Sequence, residues 1–118
     1  MYPEANTAAI LATLAFNGAL TASFYLKGLL ATKLYLPPTW SATATQLTVQ
    51  TSVDNVTFSN LYRGDTGAEY PISGAFASRC LLLNPNDLLG IHYIRLRSGT
   101  SGSPVSQSGS VVLVVVPW

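Results

Sequence analysis

Residues 45–53, which read TQLTVQTSV, decide the fold class of this chain. Apolar or β-branched residues occupy every second position from Leu47 to Val53, and polar residues occupy the positions between them. Such alternation is typical of a strand with one face on a core and the other towards solvent. Asp54-Asn55 follows, and because these residue types accept the backbone conformations of a tight turn, residues 56–62 are predicted to return as the second strand of a hairpin.

Similar alternations recur along most of the chain and are separated by Gly, Pro, Asn and Asp residues. They predict further antiparallel strands over residues 20–27, 30–36, 79–83 and 91–97. The N-terminal segment 8–16 stays open between strand and helix, because its alanines suit a helix while its alternation suits a strand. About eight short strands in about a hundred residues predict an all-β fold, a single antiparallel β-sandwich of the jelly-roll type.

The last predicted strand, VVLVVV at residues 111–116, is apolar on both faces. An antiparallel sandwich strand normally has one wet face, so a loop or a second subunit must cover the additional apolar face of this one. The sequence therefore predicts an interface at Val112, Val114 and Val116, continued by the terminal Trp118. One face of the strand joins the expected core, with Leu47, Val49, Phe58, Leu61, Ile94 and Leu96.

The composition of the 118-residue chain suits one domain that associates with other proteins. Only 9% of the residues are charged, against about 25% in an average soluble domain. A small domain with so neutral a surface favours self-association, and a net charge of +1 excludes nucleic-acid binding driven by a strong basic field. We assign residues 8–118 to the domain and residues 1–7 to an N-terminal arm, whose Tyr2 and Pro3 would be ordered by a partner.

Neither a targeting segment nor a membrane helix is expected. Polar residues such as Asn17 and Lys27 interrupt the apolar stretch at residues 8–31, and no Lys or Arg precedes it. The single Cys80 cannot form an intrachain disulfide and is expected to be a small buried hydrophobe. These features predict a protein that is made in a reducing cytoplasm.

The sequence offers no arrangement of residues that would support catalysis or hold a metal or an organic cofactor. His92 is the only histidine, and its phase with Ile94 predicts a core histidine with one hydrogen-bond partner. No serine lies in a Gly-x-Ser-x-Gly elbow, and one histidine cannot supply the usual metal ligand set. We therefore expect a non-enzymatic protein, whose carboxylates are scattered over turns and ends at Glu4, Asp54, Asp65, Glu69 and Asp87.

Aromatic and arginine residues are candidates for contact with a partner. Tyr93, Arg95 and Arg97 alternate with the core residues of their strand and are expected on its outer face. There they are either solvated or hold a carboxylate or a partner surface by bidentate and stacking contacts. Trp40 follows a proline pair, and we expect it to pack against the end of the sandwich, with ligand stacking as the alternative.

Several segments of the chain carry a resemblance to known proteins. They are TW at 39–40, LTVQTSVDNVTF at 47–58, LY at 61–62 and YIRLRSGT at 93–100, with Pro104-Val105 and Gln107 behind them. Together they resemble a group of small structural proteins of tailed bacteriophages over residues 37–116. Those proteins tend to have Gly where this chain has Asn55, and often Trp where it has Phe58.

The resemblance implies a β-sandwich of the virion, with a strand pattern that discoidin-like jelly rolls share. It leaves two roles: a capsid decoration or cement protein that bridges capsomers, or a tail or fibre module that binds host surface glycans. The shortage of charge and the doubly apolar last strand favour the first role, because both suit burial against protein.

For the first role, the resemblance implies a homotrimer on the capsid surface that contacts the major capsid protein and neither nucleic acid nor membrane. The virion would be assembled in the cytoplasm of the host bacterium. The residues expected at the interfaces are Tyr2, Pro3, Tyr93, Arg95, Arg97, Val112, Val114, Val116 and Trp118. The second role would instead place Trp40 and Tyr62 against a glycan.

Overall fold

The computed structural model describes residues 8–26, 28–41, 43 and 45–117 of the chain. The arm with Tyr2 and Pro3, and Trp118 at the other end, lie outside the described residues. The described part contains a 3₁₀ turn at Pro85–Leu88 and nine strands. The strands are β1 (Ala8–Gly18), β2 (Phe24–Tyr25), β3 (Leu29–Tyr35), β4 (Gln46–Ser52), β5 (Ser59–Asn60), β6 (Ile72–Ser73), β7 (Cys80–Leu82), β8 (Tyr93–Ser98) and β9 (Gln107–Pro117).

The strands pair antiparallel into two sheets. Sheet I has the order β1-β9-β3-β7, and sheet II has the order β2-β8-β4-β5, with the short β6 also paired to β4. Strands that are neighbours in a sheet are mostly distant in sequence, and the strand orders of the two sheets are those of a jelly roll. The predicted all-β antiparallel sandwich is therefore confirmed.

The N-terminal segment, which the sequence left open between strand and helix, is the strand β1. It pairs with β9 from Ala8 opposite Val115 to Leu14 opposite Gly109. Strand β9 pairs with β3 on its other side and is therefore central in sheet I. A central position satisfies the backbone donors and acceptors of β9 on both of its edges.

The core lies between the two sheets and agrees with most of the sequence prediction. Leu47 and Val49 of sheet II and Ile94 and Leu96 beside them are at most 1% exposed. Sheet I supplies the alternate residues of β9, which are buried to the same degree: Val111, Leu113 and Val115. Leu61 packs against this core while remaining half-buried.

Two predicted strands are much shorter in the structure, because side chains take over the bonds of the ladder. The predicted strand over residues 56–62 is reduced to β5, since Asp54 Oδ1 accepts hydrogen bonds from the backbone N–H groups of Val56 and Thr57. Within the described residues 20–26, the predicted strand over residues 20–27 is reduced to β2, since Thr21 Oγ1 accepts the N–H group of Leu96 at 3.0 Å.

Candidate interaction surfaces

The outer side of sheet I carries an apolar surface, which we call the apolar face: Leu30, Tyr35, Leu82, Val112, Val114 and Val116. Its composition follows from the register, because residues that are opposite in a ladder project to the same side. Lys33 lies opposite both Val114 and Leu82, and Tyr35 lies opposite both Val112 and Cys80.

Two residues of the apolar face are strongly exposed to solvent. Leu82 is 82% exposed and Tyr35 is 46% exposed, while Val112, Val114 and Val116 are half-buried. Lys33 is the only charged residue in the sequences of β3, β7 and β9. The second apolar side of β9 is thus only half-buried by the described part of the chain, and the interface expected there stays a prediction.

Cys80 lies on the same side of sheet I and is exposed, so the prediction of a buried cysteine is wrong. The physical reason is the position of β7 at the edge of its sheet, where alternate residues project outwards. A hydrogen bond with the Cys80 thiol raises the pKa of the Tyr35 hydroxyl, and the charge that the thiol takes on when ionised adds to this shift.

The outer side of sheet II is polar and is partly covered by the chain's own side chains. Arg97 donates to Glu69 Oε2 at 3.2 Å, to Thr48 Oγ1 at 3.4 Å and to Asn60 Oδ1. Glu69 in turn accepts the backbone N–H group of Ser101 at 3.1 Å. The ion pair is buried, with side-chain exposures of 8% for Arg97 and 14% for Glu69.

This cover corrects the interpretation of Arg97 as a solvated or partner-binding residue. Arg97 projects to the predicted side of β8, but the chain that follows β5 brings Glu69 over it. A guanidinium that is already paired and only 8% exposed offers little to a partner. Strand periodicity predicts the side to which a residue points, and it carries no information about a distant segment that covers that side.

Arg95, two residues before Arg97 on the same strand, is half-buried, whereas Arg97 is buried. Its guanidinium carbon lies 3.6 Å from the centre of the Phe58 ring, and its Nη1 donates to Gln50 Oε1 at 3.5 Å. Phe58, predicted in the core, is therefore half-buried on the outer side of sheet II. Its position follows from the turn after β4, which leaves the strand alternation that the prediction assumed.

Tyr93 also lies on the outer side of sheet II, where β8 pairs with β2. Its ring centre is 5.1 Å from that of Tyr25, its partner across the ladder, at an interplanar angle of 53°. Tyr25 is 52% exposed. The sequence alone does not single out Tyr25 or, on the apolar face, Tyr35 and Leu82, because only the pairing of strands brings them beside the predicted residues.

The two residues proposed for glycan contact differ in exposure, since Trp40 is buried and Tyr62 is exposed. Trp40 is 4% exposed and belongs to the core, so it cannot stack on a ligand and the alternative that it does so is wrong. Packing explains this residue, because a buried tryptophan contributes a large apolar surface. Tyr62 is 52% exposed and lines a cleft of about 300 Å³, which also includes Arg63, Asp65, Tyr70 and Asp87.

That cleft holds a fixed polar contact. The Tyr70 hydroxyl donates to Asp87 Oδ2 at 2.7 Å, and burial together with the negative charge of Asp87 raises the pKa of Tyr70 to about 12. The Arg63 guanidinium lies 5.7 Å from the Tyr70 ring centre and forms an exposed ion pair with Asp65. Carboxylate, guanidinium and phenol groups thus converge on one opening.

A second cleft, of about 400 Å³, lies at one end of sheet II. His92 lines it and is half-buried, which differs from the core position predicted for this residue. Asp54 lies on the same cleft, and the backbone N–H groups of Thr57 and Val56 hold the pKa of its carboxyl below the usual value. Hydrogen bonds to the charged form of a carboxyl favour ionisation.

Within residues 8–26, 28–41, 43 and 45–117, no three His, Cys, Asp or Glu side chains come together as a metal site. The same residues contain no helix of the length and hydropathy that a membrane span requires. The chain matches no protein-family profile and no curated protein.

Proposed function

We propose that this chain is a non-enzymatic structural protein of a tailed-bacteriophage virion, which decorates the capsid as a homo-oligomer. The apolar face of sheet I is the observation that carries the proposal. An outward surface that is apolar apart from Lys33 is a candidate site of contact with another protein.

A second copy of the chain is the proposed cover for the apolar face. The face carries little charge, as the centres of stable interfaces do, where Lys and Glu are depleted and aromatic and aliphatic residues are enriched. With 9% charged residues in the whole chain, a monomer would have few groups to keep this face soluble. Burial of Tyr35 and Leu82 would remove two of the largest exposed apolar side chains.

The capsid and the trimer come from the resemblance to phage structural proteins. Decoration proteins of that kind often sit on local three-fold axes of the capsid lattice, which suits a homotrimer that bridges capsomers. The partner there would be the major capsid protein, and the protein would reside on the capsid surface after assembly in the host cytoplasm.

Analytical ultracentrifugation of two matched variants tests self-association. Leu82→Asp places a charge on the apolar face, and Val56→Asp places one in the turn after β4. The two side chains are 82% and 80% exposed, so neither substitution should disturb the core. We expect trimers for the natural protein and Val56→Asp, and monomers for Leu82→Asp. A monomeric natural protein would contradict the proposal, and a stable dimer would contradict the three-fold assignment alone.

Electron cryo-microscopy of the intact particle tests the location. We expect the chain on the outside of the head, in a number of copies that the icosahedral lattice fixes. Density for the chain in the tail or in a fibre would contradict the capsid role. It would favour the glycan-binding role instead.

The cleft beside Tyr62 supports that second candidate function, a tail or fibre module that binds host glycans. An exposed aromatic ring beside Arg63, Asp65 and Asp87 is a combination that can stack on a sugar ring and bond its hydroxyls. An array of bacterial surface glycans should then show binding that Tyr62→Ala weakens and Tyr25→Ala, an equally exposed tyrosine elsewhere, does not. A blank array would remove this candidate.

A further inference from the structure

Arg95 differs from its neighbour Arg97 in having no acidic partner. The ion pairs in the described part of the chain are Arg97 with Glu69 and Arg63 with Asp65, and neither involves Arg95. Gln50 accepts one of its N–H groups at the long distance of 3.5 Å. The remaining N–H groups form the flat fork that suits both oxygens of a carboxylate.

The surroundings hold this fork in place. The Phe58 ring stacks against the guanidinium at 3.6 Å, and stacking restricts the rotamers that an arginine would otherwise explore. A guanidinium that is fixed before binding loses less conformational entropy when a partner arrives. Tyr93, on the same side of β8, and the exposed Tyr25 next to it add apolar surface with hydroxyl groups.

We infer that the outer side of sheet II binds an acidic side chain of a protein partner, with the Arg95 guanidinium on its carboxylate and the Tyr25–Tyr93 pair beside it. The site is distinct from the apolar face, which lies on the other sheet. Arginine and tyrosine are the residue types that most often dominate the binding energy of protein interfaces.

Charge and residue type point to a protein carboxylate. Arg95 lies on the outer side of sheet II with Tyr93 and the exposed Tyr25, and arginine and tyrosine are enriched in protein interfaces. The buried Glu69 already balances Arg97, which leaves Arg95 as the arginine of β8 whose charge a partner's carboxylate can neutralise. The expectation of a protein partner rests on the proposed structural role, while the carboxylate site can be tested without any capsid.

The test uses NMR signals of the arginine side chains in the full-length, isotope-labelled protein. Two probe peptides differ by one carboxylate: acetyl-Gly-Glu-Gly-amide and acetyl-Gly-Gln-Gly-amide. We expect the Nε–H signal of Arg95 to shift and saturate with the glutamate peptide, and the glutamine peptide to bind at least about tenfold more weakly. The exposed Arg63 serves as an internal control that should not saturate.

Variants test whether the stacked guanidinium group of Arg95, and not its positive charge alone, binds the carboxylate. Arg95→Lys keeps the charge but loses the fork and the stacking, so the Tyr25 and Tyr93 signals should no longer respond to the glutamate peptide. Arg63→Lys is the matched control and should leave their response unchanged. Melting temperatures close to that of the natural protein would show that each variant is folded.

Three results would overturn the inference. The first is an Arg95 signal that does not respond to the glutamate peptide. The second is an equal response of Arg63, which would indicate general attraction of charge. The third is tighter binding of glucuronate, titrated as a third probe, than of the glutamate peptide, which would show that the site accepts an acidic saccharide. Each of these results leaves the self-association of the apolar face untouched, so the two proposals fail separately.

Discussion

The outer sides of the two sheets differ in what covers them. On sheet II, Arg97 is enclosed by Glu69, Asn60 and Thr48, and these contacts come from segments of the same chain. On sheet I, Leu82 is 82% exposed and Val112, Val114 and Val116 are only half-buried by the described residues. The two outer sides thus differ in how far the chain itself covers them, and the proposed self-association would complete the cover of sheet I.

The largest expected loss of stability follows from the removal of Arg97 on the outer side of sheet II. Arg97→Ala leaves the buried carboxylate of Glu69 without its cation, and the free energy of unfolding should fall by about 3 kcal/mol. Arg63→Ala breaks an ion pair with side-chain exposures of 42% and 70% and should cost less than about 1 kcal/mol. Urea denaturation measures both, and equal losses would show that sheet II is not closed by the Arg97 pair.

A smaller loss of stability is expected from a substitution at Gly99, in the loop that follows β8. Gly99 has φ +86°, and a Cβ there would lie 2.4 Å from the carbonyl oxygen of Ser103. Gly99→Ala should therefore lower the free energy of unfolding by about 2 kcal/mol. Gly102→Ala, in the same loop, meets no atom within 4 Å and should be close to neutral. Equal thermal stability of the two variants would contradict this account of the loop.

The smallest expected effect is on how the stability of the protein depends on pH in acidic solution. The pKa of Asp54 is lowered in the folded chain, so its stabilising contribution is present above its usual pKa of 3.8 and is lost as the pH falls through the folded value. As the pH falls below about 5, the free energy of unfolding should therefore decrease less for Asp54→Asn than for the natural protein. Amide hydrogen exchange should place the acid-induced opening in the turn at residues 53–57 and leave β9 protected. Opening of β9 at the same pH would contradict a local origin.

The sequence predicts the sandwich well because the period of a strand is a local property. The alternation at residues 45–53 predicts β4 and its inward residues Leu47 and Val49, but it is wrong for Val53, which lies beyond the end of β4 and is 80% exposed. The doubly apolar residues 111–116 predict both the core side and the half-buried outer side of β9. Strand ends are predicted less well, since Asp54 and Thr21 replace ladder bonds with side-chain bonds that periodicity does not reveal.

The candidate surfaces depend on contacts between distant segments, and for this reason the sequence predicts them only in part. Tyr93 and Arg95 lie on the predicted side of β8, whereas the burial of Arg97 requires Glu69, which is 28 residues away in the chain. Leu82 joins the apolar face only through the pairing of β7 with β3. The expectations for Tyr2, Pro3 and Trp118 lie outside the described residues and stay predictions.

The rate at which a maleimide alkylates Cys80 tests most directly whether association completes sheet I. Cys80 is the only cysteine of the chain, and it is exposed beside Tyr35 at the edge of the apolar face. We expect alkylation of the natural protein to slow as its concentration rises through the range of self-association, while Leu82→Asp reacts at the fast rate throughout. A fast rate for the natural protein at concentrations where ultracentrifugation shows oligomers would mean that association leaves the Cys80 edge of sheet I uncovered.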